Sequence, residues 1–185
     1  MRLFVAIDIE SPQLIAAIRA LKDVVQATGV PQKPVEDENL HLTLAFIGEV
    51  EDDDVERIRE ALKKIEHNVF NIHLKGLGAF PTVNRPRVVW IGVEEGRESL
   101  HELHSKVAKA LSTARVNLRD SRFEPHLTIT RIKGSKNLSN LVRVLTSYED
   151  YDVGWLTVSE FKLKQSILTP KGPIYKTLLS VPLKA

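Results

Sequence analysis

The strongest constraint on this chain is a four-residue pattern that occurs twice. His41-Leu42-Thr43-Leu44 in the first half of the sequence is matched by His126-Leu127-Thr128-Ile129 in the second. Side chains alternate between the two faces of a β-strand, so each copy predicts a strand with its His and Thr on one face and its aliphatic residues in the core. Two such strands facing each other would present two imidazoles and two hydroxyls to one ligand. The alternative is a pair of half-buried strands whose histidines are structural.

The residue types in this pattern suit acid–base chemistry on a phosphate ester. An imidazole titrates at about pH 6.5, so a neutral and a protonated histidine can coexist around neutral pH. The neutral one can accept a proton and the protonated one can donate a proton. Thr hydroxyls are too weakly acidic for proton transfer but hydrogen-bond well to an oxyanion. Histidines on opposite sides of a phosphorus would support an in-line displacement without a metal. Metal binding is the rival role, although a catalytic zinc usually takes three protein ligands, often with a carboxylate.

Length and composition are those of an ordinary globular protein. The 185 residues, of which 43% are hydrophobic and 27% charged, suffice for a substantial core. The absence of cysteine excludes disulfides, thiolate metal sites and a cysteine nucleophile. No apolar run is long enough for a membrane span and the N-terminus does not resemble a signal peptide, so we expect a cytoplasmic protein. Residues 1–96 are net acidic and residues 97–185 net basic, which suggests an anionic partner for one lobe or a solvated surface of mixed charge.

Periodicity and turn residues predict an α+β fold in which one arrangement of elements occurs twice. Strands are predicted at 2–9, 40–47, 69–80, 87–94, 123–131, 153–168 and 174–181, and helices at 12–28, 51–65, 97–114 and 137–147. Pro31 and Pro34 predict an irregular segment, and Gly76-Leu77-Gly78 predicts a β-bulge. We therefore expect one bilobal domain over residues 1–185, with the motif strands at about 40–47 and 123–131 facing each other.

One further candidate lies five residues after each motif histidine: Phe46 after His41, and Arg131 after His126. Phe46 could stack on a base or pack in the core, and Arg131 could hold a phosphate or end its strand at the surface. Strict alternation turns both side chains away from the histidines, so either role requires a twist or bulge near the strand end. Arg115, Arg119 and Arg122 precede the second motif and could line a path for nucleic-acid phosphates or remain solvated.

The other histidines form no recognisable site. His101 and His104 lie three residues apart on a predicted helix and do not make a His-Glu-x-x-His arrangement, so a surface position is expected. His67 and His73 have no partner in the sequence and are expected to be structural or exposed. The sequence also lacks the glycine-rich loops that bind phosphate in nucleotide-binding folds.

Together with several further stretches, the paired His-x-Thr patterns resemble the two-histidine phosphoesterase superfamily. Within it, the chain is similar to the RNA 2′,3′-cyclic phosphodiesterases, also called 2′-5′ RNA ligases. The resemblance covers nearly the whole chain and is carried by Arg2–Ile7, His41–Gly48, Gly76–Pro81, Arg85–Trp90, Phe123–Thr128, Ser166, Leu168, Gly172-Pro173 and Tyr175.

The resemblance implies two pseudo-symmetric lobes, each an antiparallel sheet with helices outside, around a V-shaped cleft. The implied reaction opens a 2′,3′-cyclic phosphate at an RNA end to a 2′-phosphate, and its reversal would join RNA through a 2′-5′ bond. His41 would be the proton donor and His126 the proton acceptor, with Thr43 and Thr128 beside them and Arg131 and Phe46 as substrate-binding residues. The resemblance implies no metal or cofactor, and we expect a monomer acting on RNA ends such as tRNA fragments.

Two other functions remain compatible with the sequence. The cleft could bind RNA without turning it over, or the enzyme could act on a small cyclic nucleotide. Both histidines and both threonines are present, which favours catalysis, and the charge asymmetry favours a polymer.

Overall fold

The computed structural model describes residues 1–118 and 122–185, and Arg119 lies outside them. Over these residues the chain forms nine strands, four α-helices and one 3₁₀ turn at Asp37–Asn39. The strands are β1 (Arg2–Asp8), β2 (Gln32–Pro34), β3 (His41–Glu49), β4 (Phe70–Thr82), β5 (Arg85–Val93), β6 (His126–Ile132), β7 (Asp152–Val158), β8 (Glu160–Thr169) and β9 (Gly172–Pro182). The helices are α1 (Pro12–Gln26), α2 (Asp52–Lys63), α3 (Arg97–Thr113) and α4 (Leu138–Ser147).

The strands form two antiparallel sheets, which confirms the α+β class. Sheet 1 has the order β3-β1-β8-β9, and sheet 2 has the order β2-β6-β5-β4-β7. Helices α2 and α3 pack on sheet 1, whereas α1 and α4 pack on sheet 2. Each sheet therefore contains one motif strand and combines strands from both halves of the sequence.

Local sequence signals explain where the elements begin. The Ser11 side chain accepts a hydrogen bond from the backbone N–H of Leu14 at 3.4 Å, and Pro12 opens α1 with its preset φ angle. Helix α2 has Asp52, Asp53 and Asp54 in its first turn, where negative charge is favourable. Strand β1 is almost wholly buried, as expected of a strand between β3 and β8. The buried apolar side chains of both sheets form one contiguous cluster.

Two predictions about the strands were wrong. The expected strand at 153–168 is two strands that belong to different sheets, with a break at Ser159. Buried apolar residues continue on both sides of this break, so periodicity does not reveal the change of sheet. The segment at 32–34 was expected to be irregular but pairs with β6. Pro34 is tolerated there because β2 is an edge strand, in which a missing N–H costs little.

The bulge predicted at Gly76-Leu77-Gly78 is confirmed. The register of β4 against β5 shifts between Leu74 and Leu77, and Gly76 has a φ of 83°. None of the helices in the described part of the chain combines the length and apolar content that a membrane span needs.

Candidate active site

The two motif strands contact each other and have the same burial pattern over their first six residues. In each strand the His and the Thr are half-buried, and the residue that follows each of them is fully buried. Leu42 and Leu127 are 0% exposed, which anchors the inner face of each strand in the core. The outer face of each strand therefore carries an imidazole and a hydroxyl held at fixed positions.

Strand β3 contains a β-bulge directly after its threonine. Thr43 lies opposite Ala6 and Ala45 lies opposite Val5, which leaves Leu44 as an extra residue. Leu44 and Ala45 are consecutive, yet both are buried. The bulge therefore reverses the alternation of side chains beyond it.

Strand β6 has a bulge at the matching position. Thr128 lies opposite Trp90 and Thr130 lies opposite Val89, which leaves Ile129 as the extra residue. Ile129 and Thr130 are both 0% exposed. The duplication thus extends beyond the His-x-Thr pattern to the backbone irregularity that follows it.

Because of these bulges, Phe46 and Arg131 return to the face that carries the histidines and threonines. Phe46 is 53% exposed, and the Arg2 guanidinium lies 5.1 Å from the centre of its ring. Arg131 is also exposed. Strict alternation would have turned both side chains away, and the bulge is the feature that makes a role in the cleft geometrically possible.

The two motif imidazoles have the same orientation. His41 Nδ1 lies 2.7 Å from the carbonyl oxygen of Asn39, and His126 Nδ1 lies 2.6 Å from that of Glu124. A carbonyl oxygen only accepts hydrogen bonds, so Nδ1 carries the hydrogen in both rings and Nε2 is left for a ligand. His41 Nε2 also lies 3.1 Å from Thr43 Oγ1. Each histidine is thus fixed in one tautomer by the residue two positions before it.

Aromatic side chains flank both imidazoles. The His41 ring contacts Phe4 and Tyr175, with centroid distances of 5.2 and 5.3 Å. The His126 ring contacts Phe80 at 4.9 Å and lies 6.3 Å from Trp90. The sequence alone assigns no role to these four residues, because aromatic residues in predicted strands are indistinguishable from core residues.

The surroundings of His41 affect its protonation. Burial lowers its pKa below the ordinary value of 6.5, and the positive charges of Lys164 and Arg131 act in the same direction. The hydrogen bond to Asn39 and the negative charge of Asp8 oppose this change. Burial raises the pKa of Tyr175, while Arg131 acts against that rise. Arg131 belongs to β6, which contacts β3, so a charge from the second motif strand contributes to the surroundings of the first histidine.

A buried ion-pair cluster lies beside His41. Asp8 is the β1 residue opposite His41, and both of its carboxylate oxygens bind Lys164 Nζ, at 2.9 and 2.8 Å. Lys162 Nζ also binds Asp8, at 3.2 Å. The sequence signal for this cluster was the alternation of Lys162 and Lys164 with buried Phe161 and Leu163 in β8, which the sequence analysis did not use.

A cavity of about 1140 Å³ adjoins the motif strands. Residues from both halves of the chain line it, including Thr43, Phe46 and Phe123 as well as His126. The cations at its wall are Arg2, Arg57, Arg115 and Arg122, and acidic residues of the 49–54 segment also line it. Two of the three arginines for which an entry path and a solvated position were both open, Arg115 and Arg122, line this cavity.

The other histidines occupy different environments. His101 is exposed as expected, but the expected surface position of His104 is wrong, because His104 is only 8% exposed and lines the cavity. His67 and His73 are both buried. Across the described ranges, no group of three or more His, Asp or Glu side chains is arranged to hold a metal ion.

Comparison with known proteins identifies the family. A family model described as LigT like phosphoesterase matches twice, at residues 7–90 and 91–175, so each match contains one motif. RNA 2′,3′-cyclic phosphodiesterase of Aeropyrum pernix is 46% identical over 168 residues, covering 91% of this chain and 96% of that protein. The protein of the same name from Archaeoglobus fulgidus is 44% identical over 178 residues, covering 96% of this chain and 98% of that protein.

Solved structures agree with this assignment. LigT of Escherichia coli complexed with 3′-AMP matches with a TM-score of 0.79 and 25% identity, covering 100% of this chain and 98% of that one. TT0787 of Thermus thermophilus matches with a TM-score of 0.75 and 28% identity at the same coverage. Since the family model spans both halves and the relatives align over nearly the whole length, this chain belongs to the LigT-like phosphoesterase family.

Proposed function

We propose that this protein hydrolyses 2′,3′-cyclic phosphate ends of RNA to 2′-phosphates, leaving a free 3′-hydroxyl. The observation that carries the proposal is the pair of imidazoles on duplicated strands, each holding Nδ1–H on a carbonyl, which makes Nε2 the nitrogen that exchanges protons in both rings. The names of the relatives support the same reaction and substrate.

The mechanism uses the histidines as an acid and a base. His126 Nε2 accepts a proton from a water molecule as the water oxygen attacks the phosphorus. His41 Nε2 gives a proton to the 3′ oxygen as the P–O3′ bond breaks. The resemblance to the family assigns which histidine is the donor. Thr43 and Thr128 donate hydrogen bonds to the non-bridging oxygens, on which negative charge builds up.

Arg131 and Phe46 bind the substrate on either side of this centre. The Arg131 guanidinium neutralises charge on the phosphate, and Phe46 stacks on a base with a face of its ring that Arg2 leaves open. His41 is mostly neutral in the free protein around pH 7, because burial lowers its pKa. An anionic phosphate bound beside it favours the imidazolium form, so substrate binding loads the proton that the leaving oxygen receives.

The proposal includes four broader statements. The reaction needs no metal or other cofactor, because the two imidazoles supply both proton transfers. The chain acts as a monomer and as one bilobal unit over residues 1–185, since the residues proposed for the site come from both halves of one chain. In the ligation direction a 5′-hydroxyl end takes the place of water: its oxygen attacks the cyclic phosphate, the P–O3′ bond breaks, and a 2′-5′ bond forms without a nucleotide cofactor. RNA fragments, including those of tRNA, are the substrate class.

The test is hydrolysis of an oligonucleotide that ends in a 2′,3′-cyclic phosphate, with a chelator present. We expect a 2′-phosphate product, and losses of roughly 10²- to 10⁴-fold in kcat for His41→Ala and for His126→Ala. Tight, salt-dependent RNA binding without turnover would instead support an RNA-binding module. Faster turnover of a cyclic mononucleotide than of the oligonucleotide would support a small-molecule phosphoesterase.

A further inference from the structure

His104 in α3 makes a hydrogen bond to the β3 bulge. Its Nδ1 lies 2.6 Å from the carbonyl oxygen of Leu44, the extra residue of that bulge. The ring is 8% exposed and stacks on Phe123 at 4.5 Å with an interplanar angle of 7°. Because the carbonyl can only accept, Nδ1 of His104 must donate, and the ring is held by both contacts.

The matching carbonyl in the other half of the chain has a different donor. The carbonyl oxygen of Ile129, the extra residue in β6, accepts from the backbone N–H of Val35 at 2.9 Å. Val35 directly follows β2, which pairs with β6. Strand β3 is an edge strand, so no neighbouring strand supplies such an N–H there. The His104 side chain therefore donates the hydrogen bond that a backbone N–H donates in the other half.

We propose that His104 is a positioning residue for nucleotide binding. By holding the Leu44 carbonyl it fixes the bulge that returns Phe46, two residues later, to the face of His41 and Thr43. Without the donor, a buried carbonyl would lack a partner, which favours a straightened strand with Phe46 turned away from the cavity. This inference rests on the proposed function, since it assigns Phe46 a nucleotide as its ligand.

Three variants separate the hydrogen bond from the packing of the ring. His104→Phe keeps a ring against Phe123 but removes the donor. His104→Asn loses the ring but places an amide N–H close to the position of Nδ1. His101→Leu is the matched control, because His101 is exposed on the same helix and contacts the edge of the same Phe123 ring at 5.2 Å.

The measurements are affinities for adenosine 2′-monophosphate and for inorganic phosphate, together with KM and kcat for the cyclic-phosphate oligonucleotide. We expect His104→Phe to weaken nucleotide affinity and raise KM by roughly tenfold, the size of one lost base–aromatic contact. Phosphate affinity, kcat and the pH–rate profile should stay near wild type, since the imidazoles at the phosphate are untouched. His104→Asn should recover most of the nucleotide affinity.

A double variant tests whether the effect runs through Phe46. If it does, Phe46→Ala and Phe46→Ala/His104→Phe will bind the nucleotide equally weakly, because the second change has nothing left to disturb. Additive losses would overturn the inference. Equal losses of nucleotide and phosphate affinity in His104→Phe, or a variant indistinguishable from wild type, would also overturn it.

The outcomes distinguish this inference from the proposed function. If the wild-type protein cleaves the oligonucleotide and His104→Phe does so with unchanged KM, only the role of His104 fails. If the wild-type protein binds the nucleotide but cleaves nothing, the proposed function fails. The affinity comparison then still decides the role of His104, because it needs no turnover.

Discussion

The two motif histidines share an orientation but not an environment. Each donates Nδ1–H to the carbonyl of the residue two positions before it. His41 lies beside the Asp8–Lys164 ion pair, whereas His126 lies beside Phe80 and Trp90. A duplicated motif thus acquires two different sets of neighbours, charged beside His41 and aromatic beside His126.

Asp8→Asn should shift the alkaline limb of the kcat/KM profile to lower pH. The profile is expected to be a bell whose alkaline limb falls as the proposed donor His41 loses its proton, and burial lowers the pKa of that group. The Asp8 carboxylate opposes that effect, and its removal also leaves the Lys164 charge uncompensated, so both consequences lower the pKa further. A pH–rate series on the cyclic-phosphate oligonucleotide measures the shift.

Glu10→Gln is the control for this variant. Glu10 also pairs with Lys162, at 2.9 Å, but its side chain is 65% exposed, where an ion pair contributes little. The alkaline limb of Glu10→Gln should match wild type. An Asp8→Asn limb that stays in place or moves to higher pH would contradict the electrostatic role of the cluster.

His41→Asn should make the free energy of unfolding less sensitive to acid. The pKa of His41 is lower in the folded than in the unfolded protein, so its stabilising contribution is complete above about pH 6.5 and decreases as pH falls towards the folded pKa. Urea unfolding at about pH 8, 6 and 5 should show wild type losing more stability than His41→Asn. Some acid sensitivity should remain, because burial also lowers the pKa of His67. Identical pH dependence in both proteins would contradict the burial of His41.

At the scale of secondary-structure elements, the bulges determine what the sequence could reveal. The period-two pattern of the motif strands was readable, because their aliphatic residues had to enter a core. The positions of Phe46 and Arg131 could not be read from the sequence, since each bulge adds one residue without any marker such as glycine. The break between β7 and β8 was equally hidden, because apolar residues continue through it. Periodicity shows which face a residue prefers, but not where the backbone departs from regularity.

Gly78 connects the packing of strands β4 and β5 to the surroundings of His126. It lies opposite Trp90 in the β4–β5 pair, and a Cβ placed on it would come within 2.2 to 2.6 Å of three atoms of the Trp90 ring. Gly78→Ala should therefore displace Trp90 towards His126. We expect a fall of roughly tenfold in kcat/KM and a loss of about 1–3 kcal/mol in the free energy of unfolding.

Kinetics on the cyclic-phosphate oligonucleotide and urea unfolding of the same preparation provide the measurement and its control. At a temperature where Gly78→Ala is fully folded, any loss of activity reflects the displaced ring rather than unfolded protein. Full activity in the folded variant would show that the position of Trp90 does not matter to His126.

At the scale of the whole molecule, the duplicated halves are not independent lobes. The sequence analysis found two equivalent halves, and the family model matches each of them. Sheet 1 nevertheless combines β1 and β3 with β8 and β9, and sheet 2 combines β4 and β5 with β6 and β7. The order of elements could not show this exchange, because strand pairing between distant segments leaves no local pattern. One consequence is that both ends of the chain are needed to complete sheet 1.

Fragments cut between β5 and α3 should therefore fail to fold alone but fold together. In residues 1–95, β1 and β4 each lose one of two partners, β8 and β7 respectively. In residues 96–185, β6 loses β5 and β8 loses β1. Each fragment would expose apolar strand faces and unpaired edges, so we expect no cooperative thermal transition from either. Co-refolding should restore the transition and the cleavage of the cyclic-phosphate oligonucleotide. A cooperative transition in residues 1–95 alone would show that half of the duplication suffices to fold, and that the strand exchange is dispensable.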